Sequence, residues 1–247
     1  MKTQNSLRNV MPPLNQYSCS LCAMSHFCLP LGVEKKDLEQ LDQLVKSSTV
    51  FHQNDYVFKQ GKPFSKVYAV KAGSFKSSRI DENGNERVIG FHLPGELIGL
   101  DGIYPGSYST NVSALDTASL CEMNFDKLTE LCGEIPTLQR QLLRLLSRDI
   151  YDSNVSFAEK ADQTAIQKLA GFLHNLSIRY KVRGYSPTEF NLAMSRQDIA
   201  SYLGLTPETI SRLLKRFKQD DILTIENRHI QINDQQALED VVACDNV

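Results

Sequence analysis

The spacing of apolar residues changes along the chain, and each change predicts a different structure. From about 34 to 47, leucines recur at every third or fourth position among charged residues, which predicts an amphipathic surface helix. After it, short apolar stretches alternate with turn residues, and Asn83-Gly84 between residues 77–80 and 88–91 is a strong hairpin signal. Strands this short and this often interrupted are typical of an antiparallel barrel or sandwich. The clearest strand candidates are 56–58, 67–70, 88–91, 97–100 and 120–123.

Helical spacing returns after about Phe125. Asp126 is a candidate cap for a short helix, and Pro136 begins a longer one whose leucines form one apolar stripe. A stripe this apolar needs a partner surface, and a helix of this length between two domains often forms a dimer seam. Packing of the same stripe against its own domain is the alternative. The residues expected at the seam are Leu142, Leu146 and Ile150.

The segment that begins at Ser195 contains the parts of a helix-turn-helix in order. Ser195 is a helix cap with Asp198 three residues on, and Gly204 suits a helix end that needs positive φ. Thr206 then caps a second helix, with Pro207 at its first position, where a missing N–H does no harm. Two helices joined by a short turn that contains glycine predict this motif.

The outward face of the second predicted helix is locally basic. Residues near the N-terminus of a recognition helix reach base edges in the major groove, where Arg pairs with guanine and Glu accepts from cytosine. We therefore expect Glu208, Ser211 and Arg212 to read bases, with Thr209 beside them on the outward face. An ordinary helical hairpin with a solvated charged face is the alternative. The residues expected to contact phosphate are Lys215, Arg216 and Lys218.

Composition places these elements in a globular chain of 247 residues, of which 41% are hydrophobic and 23% charged. The net charge of −2 does not announce nucleic-acid binding, so any basic surface must be local. Residues 1–13 lack the apolar core of a signal peptide, and no apolar run approaches the roughly 18 residues that span a bilayer. We expect a cytoplasmic protein without membrane contact. Its six cysteines then predict metal ligands or redox groups rather than disulfides.

Three cysteines are crowded into ten residues in the pattern Cys19-x2-Cys22-x5-Cys28. They supply three thiolates on a polar loop, and a cluster or a structural zinc needs four ligands. Spacing alone favours zinc and iron–sulfur equally, with a redox dithiol third. Cys132 is better explained as a structural thiol at a helix end, and Cys244 as part of the tail. The candidates for the fourth ligand are Cys121, Cys132, Cys244 and His26.

At this point the sequence resembles the cyclic-AMP receptor protein superfamily, and within it closely the FNR (fumarate and nitrate reduction) regulators. The resemblance runs from about Cys19 to Leu238. It is carried by the cysteine spacing, by GFHLPGELIG at 90–99, by Cys121-Glu122 and by LGLTPETISRL at 203–213. The last run is very specific.

This resemblance implies that Cys121 is the fourth ligand and that the four cysteines hold a 4Fe-4S cluster. It implies an oxygen-responsive homodimer that binds double-stranded DNA at a palindromic TTGAT-N4-ATCAA-type operator, activating or repressing anaerobic-metabolism genes. Molecular oxygen, as the signal, would convert the cluster to 2Fe-2S, strip it and separate the dimer. The family's base readers match Glu208, Ser211 and Arg212. The loops 81–87 and 183–190 match surfaces that contact RNA polymerase.

The superfamily's cyclic-nucleotide binding is not expected here. Binding needs an arginine after the Gly95-Glu96-Leu97 turn to clamp the phosphate, and no Arg or Lys occurs between Arg87 and Lys127. We also expect no enzymatic activity, because no nucleophile–base pair or phosphate loop is visible. The predicted dimer helix becomes polar after Ile150, which favours a weak dimer and a monomeric apo-protein.

The expected fold class is α+β, combining an antiparallel β-barrel of the cyclic-nucleotide-binding jelly-roll type, a long dimerisation helix and a winged helix-turn-helix. The wing would come from residues 222–225 and 229–232. Four regions are expected along the chain: a cysteine-rich segment (1–29), the barrel (30–135), the dimerisation helix (136–160) and the DNA-binding domain (161–247).

Overall fold

The structure is a computed structural model that describes residues 18–45 and 49–243, with only the backbone for residues 154–162. Its N-terminal half is a pair of four-stranded antiparallel sheets, with strand orders β1-β8-β3-β6 and β2-β7-β4-β5. This confirms the predicted double-sheet barrel. The strands are β1 (Val50–Phe51), β2 (Tyr56–Phe58), β3 (Lys66–Ala72), β4 (Phe75–Ile80), β5 (Glu86–His92), β6 (Leu97–Ile98), β7 (Asn111–Ala114) and β8 (Ala118–Asn124).

The predicted hairpin lies between β4 and β5. Asp81 accepts hydrogen bonds from the backbone N–H groups of Asn83 and Asn85 at 2.9 and 2.8 Å, and Gly84 takes a φ of +82°. These bonds satisfy backbone donors that the turn would otherwise leave unpaired. The strand β7 was not predicted, because it carries a single large apolar residue, although it pairs with both β2 and β4.

Three helices share a buried apolar cluster with strands β3 and β8 of the barrel, namely α1 (Lys35–Leu44), α2 (Phe125–Glu134) and α3 (Pro136–Asp162). The expected cap at Asp126 is wrong. Asn124 is the residue that accepts from the backbone N–H of Lys127, because it has the extended backbone of a capping residue, whereas Asp126 lies within the first turn. The long helix begins at Pro136 as the sequence predicts.

The C-terminal half contains α4 (Ala165–Val182), β9 (Glu189–Asn191), α5 (Arg196–Leu203), α6 (Pro207–Gln219), β10 (Leu223–Glu226), β11 (His229–Ile232) and α7 (Gln235–Ala243). The wing is three-stranded, in the order β10-β11-β9, because β9 adds to the two strands that the sequence predicts. The last helix, α7, was also missed, and it packs along α4.

The two halves share apolar packing. Val88, Phe91 and Leu93 of the barrel lie in the same buried cluster as the helices of the C-terminal half. The ring of Phe91 packs edge-on against Phe172 of α4, with centroids 5.8 Å apart, and its centroid lies 5.1 Å from that of Tyr202 of α5. The DNA-binding half is therefore held against the barrel by buried surface as well as by covalent connection.

Within the described residues, no helix is long and apolar enough to span a bilayer.

Candidate cysteine site and nucleic-acid interface

The cysteine loop begins with a short 3-10 helix, Cys19–Leu21, and continues in tight turns. The backbone N–H of Cys28 donates to the carbonyl of Met24 at 3.1 Å, which brings the chain back on itself. Met24 and Leu29 are buried and anchor the loop, whereas the thiols of the loop are half-buried. The loop is therefore fixed by apolar anchors, and its cysteines are partly buried beside them.

Asp42 of α1 holds the start of this loop. Its Oδ1 accepts from the backbone N–H of Cys19 at 2.5 Å, and its Oδ2 accepts from the Ser18 hydroxyl at 2.9 Å. Hydrogen bonds to a charged acceptor are among the stronger ones in proteins. Sequence reasoning missed Asp42, because its partners lie 23 and 24 positions away.

Cys121 is in β8, where it pairs with Ala69 of β3. Its side chain is half-buried and packs against the same apolar cluster as Cys19 and Cys28. Cys121 is close enough to interact electrostatically with the thiols of Cys19 and Cys28, and Cys22 interacts in the same way with the thiol of Cys121. The structure thus places the loop cysteines and the β8 cysteine in one neighbourhood.

Burial dominates the protonation of these thiols. It raises the pKa of the Cys28 thiol to about 12, with the neighbouring Cys121 and Cys22 adding to the rise. The pKa values of Cys19 and Cys121 are raised as well, first by burial, and for Cys19 next by Asp42. The thiols of Cys19, Cys28 and Cys121 are therefore protonated at neutral pH in the absence of a ligand, and a metal must displace these protons to bind.

Among the described residues, no group of three or more His, Cys, Asp or Glu side chains is arranged to hold a metal ion. This finding concerns a single ion, whose ligands converge on one point. In a 4Fe-4S cluster, each of the four cysteine thiolates bonds to a different iron, so the sulfur atoms stand further apart. The donor set, four half-buried thiols in one neighbourhood, fits cluster ligation.

The other candidate ligands differ in their surroundings. His26 is exposed. Cys132 is buried in the cluster formed by α1, α2 and the start of α3, in agreement with a structural thiol. Cys244 lies outside the described residues.

The predicted helix-turn-helix is formed by α5 and α6. The side chain of Ser195 accepts from the backbone N–H of Asp198, and the carboxylate of Asp198 accepts from the backbone N–H of Ser195, which completes a capping box. Gly204 ends α5 with a φ of +68°, and Thr206 caps α6 by accepting from the backbone N–H of Thr209. The local signals in the sequence therefore correspond to observed caps.

One face of α6 is buried and the other is open. The candidate base readers Glu208, Ser211 and Arg212 are exposed, and Thr209 is half-buried. The Ser211 hydroxyl donates to the carbonyl of Pro207 at 2.9 Å, which leaves the lone pairs of its oxygen to accept from a ligand. The candidate phosphate contacts are likewise exposed, namely Lys215, Arg216 and Lys218.

The stripe on α3 divides into two parts. Leu142 is 7% exposed and packs in the cluster of its own domain, and Leu146 is partly buried against that cluster. Ile150 is 62% exposed. Leu143 and Tyr151, two apolar residues of α3 outside the predicted seam, are 59% and 65% exposed. The single chain thus gives Leu142 an internal partner, which is the alternative left open above.

Two models of known domain families match the chain. A Crp-like helix-turn-helix domain matches residues 167–241, and a cyclic nucleotide-binding domain matches residues 48–134. The transcriptional activator protein anr of Pseudomonas aeruginosa is 41% identical over 221 residues, which are 90% of this chain and 91% of that protein. The fumarate and nitrate reduction regulatory protein of Yersinia pestis is 39% identical over 220 residues, which are 89% and 88% of the two chains. Both relatives are named as regulators, not as enzymes.

Among solved structures, FixK2 from Bradyrhizobium japonicum is similar with a TM-score of 0.73 and 25% identity. The match covers 81% of this chain and 98% of the FixK2 chain.

Proposed function

Since this chain belongs to the FNR and Anr family of Crp-type transcriptional regulators, with a DNA-binding helix-turn-helix, we propose that it is an oxygen-responsive regulator of anaerobic-metabolism genes. The observation that carries the proposal is the grouping of Cys19, Cys22, Cys28 and Cys121 as half-buried thiols in one neighbourhood. These four residues would hold a 4Fe-4S cluster. When bound, the cluster would supply iron–sulfur bonds that molecular oxygen breaks.

The cysteine loop has a direct contact with the long helix. Gln141 of α3 donates from Nε2 to the carbonyl oxygen of Cys28 at 3.1 Å, and its side chain is buried. Ligation of Cys28 would order the loop and hold the Cys28 carbonyl in place. Through Gln141, the same ligation would hold α3 in place. We infer that this contact links the state of the loop to dimer assembly.

The dimer seam is proposed along the exposed apolar positions of α3. Leu143 and Ile150 are seven residues apart, the heptad spacing that keeps side chains on one face of paired helices. Leu146, between them, is only partly buried and completes the stripe. Asp152, which could repel its mate across the seam, has a partner on its own chain in Arg148, with 3.5 Å between Nε and Oδ2.

The dimer would present two copies of α6 to a palindromic operator of the TTGAT-N4-ATCAA type. Glu208, Ser211 and Arg212 would contact base edges, with Thr209 close by. Lys215 and Arg216, with Lys218, would contact phosphate and set the position of the helix without specifying sequence. Because a monomer holds one half-site only, loss of the dimer removes the avidity of the pair.

Contact with RNA polymerase is proposed for two loops. Residues 81–87, in the β4–β5 hairpin, are all exposed. In the second loop, Arg183 and Phe190 are buried, so the accessible part lies between them.

We expect no response to cyclic nucleotides. Arg179 of α4 and Arg183, the residue directly after α4, reach the Gly95-Glu96-Leu97 turn from outside the barrel. Both guanidinium groups bond to Glu96 and to backbone carbonyls, so they are engaged before any phosphate arrives. Calorimetric titration with cyclic AMP should give no binding heat, and a saturable heat would contradict this expectation.

The deciding experiment is an anaerobic absorption spectrum with iron and sulfide counts on the wild type, Cys121→Ala and Cys132→Ala. We expect a straw-brown wild type that bleaches in air and a colourless Cys121→Ala variant. Cys132→Ala is the matched control, because it removes a buried thiol outside the proposed ligand set, and it should retain iron. A wild type without iron, or one that binds zinc and stays colourless, would overturn the oxygen switch.

A further inference from the structure

The turn before β6 carries a charged group that reaches the other half of the molecule. Glu96 accepts from Nη2 of Arg179 at 2.7 Å on Oε2 and from Nε of the same residue at 3.2 Å on Oε1. Nη2 of Arg183 donates to Oε1 at 2.5 Å. Both arginines lie at the C-terminal end of α4. One barrel carboxylate is thus shared by two cations of the DNA-binding half.

The same arginines also bind the backbone of the turn. Arg179 donates from Nη2 to the carbonyl of Phe91 at 2.7 Å, and Arg183 donates from Nε to the carbonyl of Pro94 at 2.6 Å. The Arg183 side chain is 2% exposed. Buried charges with this many directed bonds hold a geometry rigidly, and removing one partner leaves another charge unpaired.

The opposite side of this turn contacts the cysteine loop. Gly95 has a φ of +88°, and a Cβ placed there would lie 3.0 Å from Cβ of Phe27 and 3.7 Å from Cβ of Met24. Phe27 directly precedes Cys28, and Met24 is a buried anchor of the loop. The turn is therefore held between the cysteine loop on one side and α4 on the other.

We propose that Glu96 is a positioning residue for DNA binding, which fixes the orientation of the DNA-binding half through Arg179 and Arg183 according to the state of the cysteine loop. The inference rests on the proposed cluster switch. It adds a connection within one protomer that is separate from the contact of Cys28 with Gln141 on α3. Dimer assembly and recognition-helix orientation then respond to the same loop through different side chains.

We call the ion pairs of Glu96 with Arg179 and Arg183 the Glu96 joint. The chain offers a matched control for this joint. Lys76 of β4 pairs with Asp198 of α5 at 2.6 Å, and the two side chains are 17% and 14% exposed. This ion pair also connects the barrel to the DNA-binding half and is similarly buried. It lies on β4 and α5, away from the turn that contacts Phe27.

The experiment measures operator affinity by fluorescence anisotropy, with and without cluster, for the wild type, Glu96→Gln, Arg179→Gln and Lys76→Met. Sedimentation gives the dimer fraction, and iron counts give the loading. We expect both joint variants to keep wild-type iron and dimer fraction when loaded, while the affinity gain on loading falls about tenfold. Arg179→Gln leaves Glu96 and Arg183 as a neutral pair, so we expect it to fold even if Glu96→Gln does not. Lys76→Met should keep the wild-type gain.

Several outcomes overturn the inference. They are a wild-type affinity gain in both joint variants, a loss fully explained by fewer dimers, or an equal loss in Lys76→Met. Hydrogen exchange on the wild type gives a test without substitution. Loading with the cluster should change the protection of the backbone amides of residues 91–97 and 176–184 together, and no change in either segment would refute the proposed role of Glu96. A wild type whose affinity does not respond to loading would instead refute the proposed function itself.

Discussion

Asp42 is the residue through which α1 controls the start of the cysteine loop. It accepts from the backbone of Cys19 and from the hydroxyl of Ser18. Replacing Asp42 by Ala should free this end of the loop at a cost of about 2 kcal/mol, a typical value for bonds to a charged acceptor. If the whole cost appears in the rate, cluster loss in air should accelerate about thirtyfold in Asp42→Ala, measured from the decay of the visible absorbance.

Glu39→Ala is the control for that change, because Glu39 is an exposed acidic residue on the same helix. It should decay at the wild-type rate. Equal acceleration in both variants would show that the charge of α1, rather than the bonds of Asp42, sets the stability of the loop.

Arg212 and Lys215 are exposed on the same face of α6, but we assign them different roles. Arg212→Ala should weaken binding to the specific operator by about 1–3 kcal/mol and relax the preference for guanine at one position. Lys215→Ala should weaken all sequences about equally and lower the salt slope by about one unit. Anisotropy titrations against single-base operator variants at two salt concentrations separate these results, and identical specificity profiles would contradict the assignment.

Among the helices and strands, those stabilised by local contacts were the ones best predicted from the sequence. Ser195, Gly204 and Thr206 act within three or four positions, so their pattern was sufficient to predict the helix-turn-helix. The strands β7 and β9 are short and depend on partners far along the chain, and they were missed. The Glu96–Arg179 contact spans 83 positions, so no local pattern could indicate it.

The helix α3 has two faces that should respond differently to substitution. Ile150→Ser removes an exposed apolar side chain and should lower the dimer fraction without changing the stability of the monomer. Leu142→Ala opens a cavity in the cluster of its own domain and should cost about 2–5 kcal/mol of unfolding free energy. Sedimentation and urea unfolding measure the two effects.

Leu143→Ser tests the seam at the position that the sequence analysis did not select, and it should behave like Ile150→Ser. The assignment of the seam to α3 fails if neither exposed variant changes the dimer fraction at equal iron content. The role of Leu142 at the seam stays a prediction.

Over the whole molecule, the barrel and the DNA-binding half are joined by buried apolar packing, the Glu96 joint and the Lys76–Asp198 pair. No local sequence pattern predicted this junction, because its contacts join residues that are far apart in the sequence. The four regions predicted along the chain stay predictions, since packing this continuous does not mark where one folding unit ends. The junction should therefore unfold with both halves rather than as a separate step.

This junction makes stability depend on pH through His92, which contacts Ser77 at 3.0 Å and lies near Glu96 and Arg179. Burial, reinforced by Arg179 and opposed by Glu96, lowers the pKa of His92 from 6.5 to about 4. Between these values the unfolded chain binds a proton that the folded chain does not, so stability falls as pH decreases. Measured by urea unfolding, the free energy of unfolding should fall by about 2 kcal/mol between pH 7 and pH 5 because of this histidine. The His92→Gln side chain can still bond to Ser77 but does not titrate. The free energy of unfolding of this variant should therefore fall by about 2 kcal/mol less than that of the wild type between pH 7 and pH 5. If the two proteins show the same dependence on pH, His92 is not the cause.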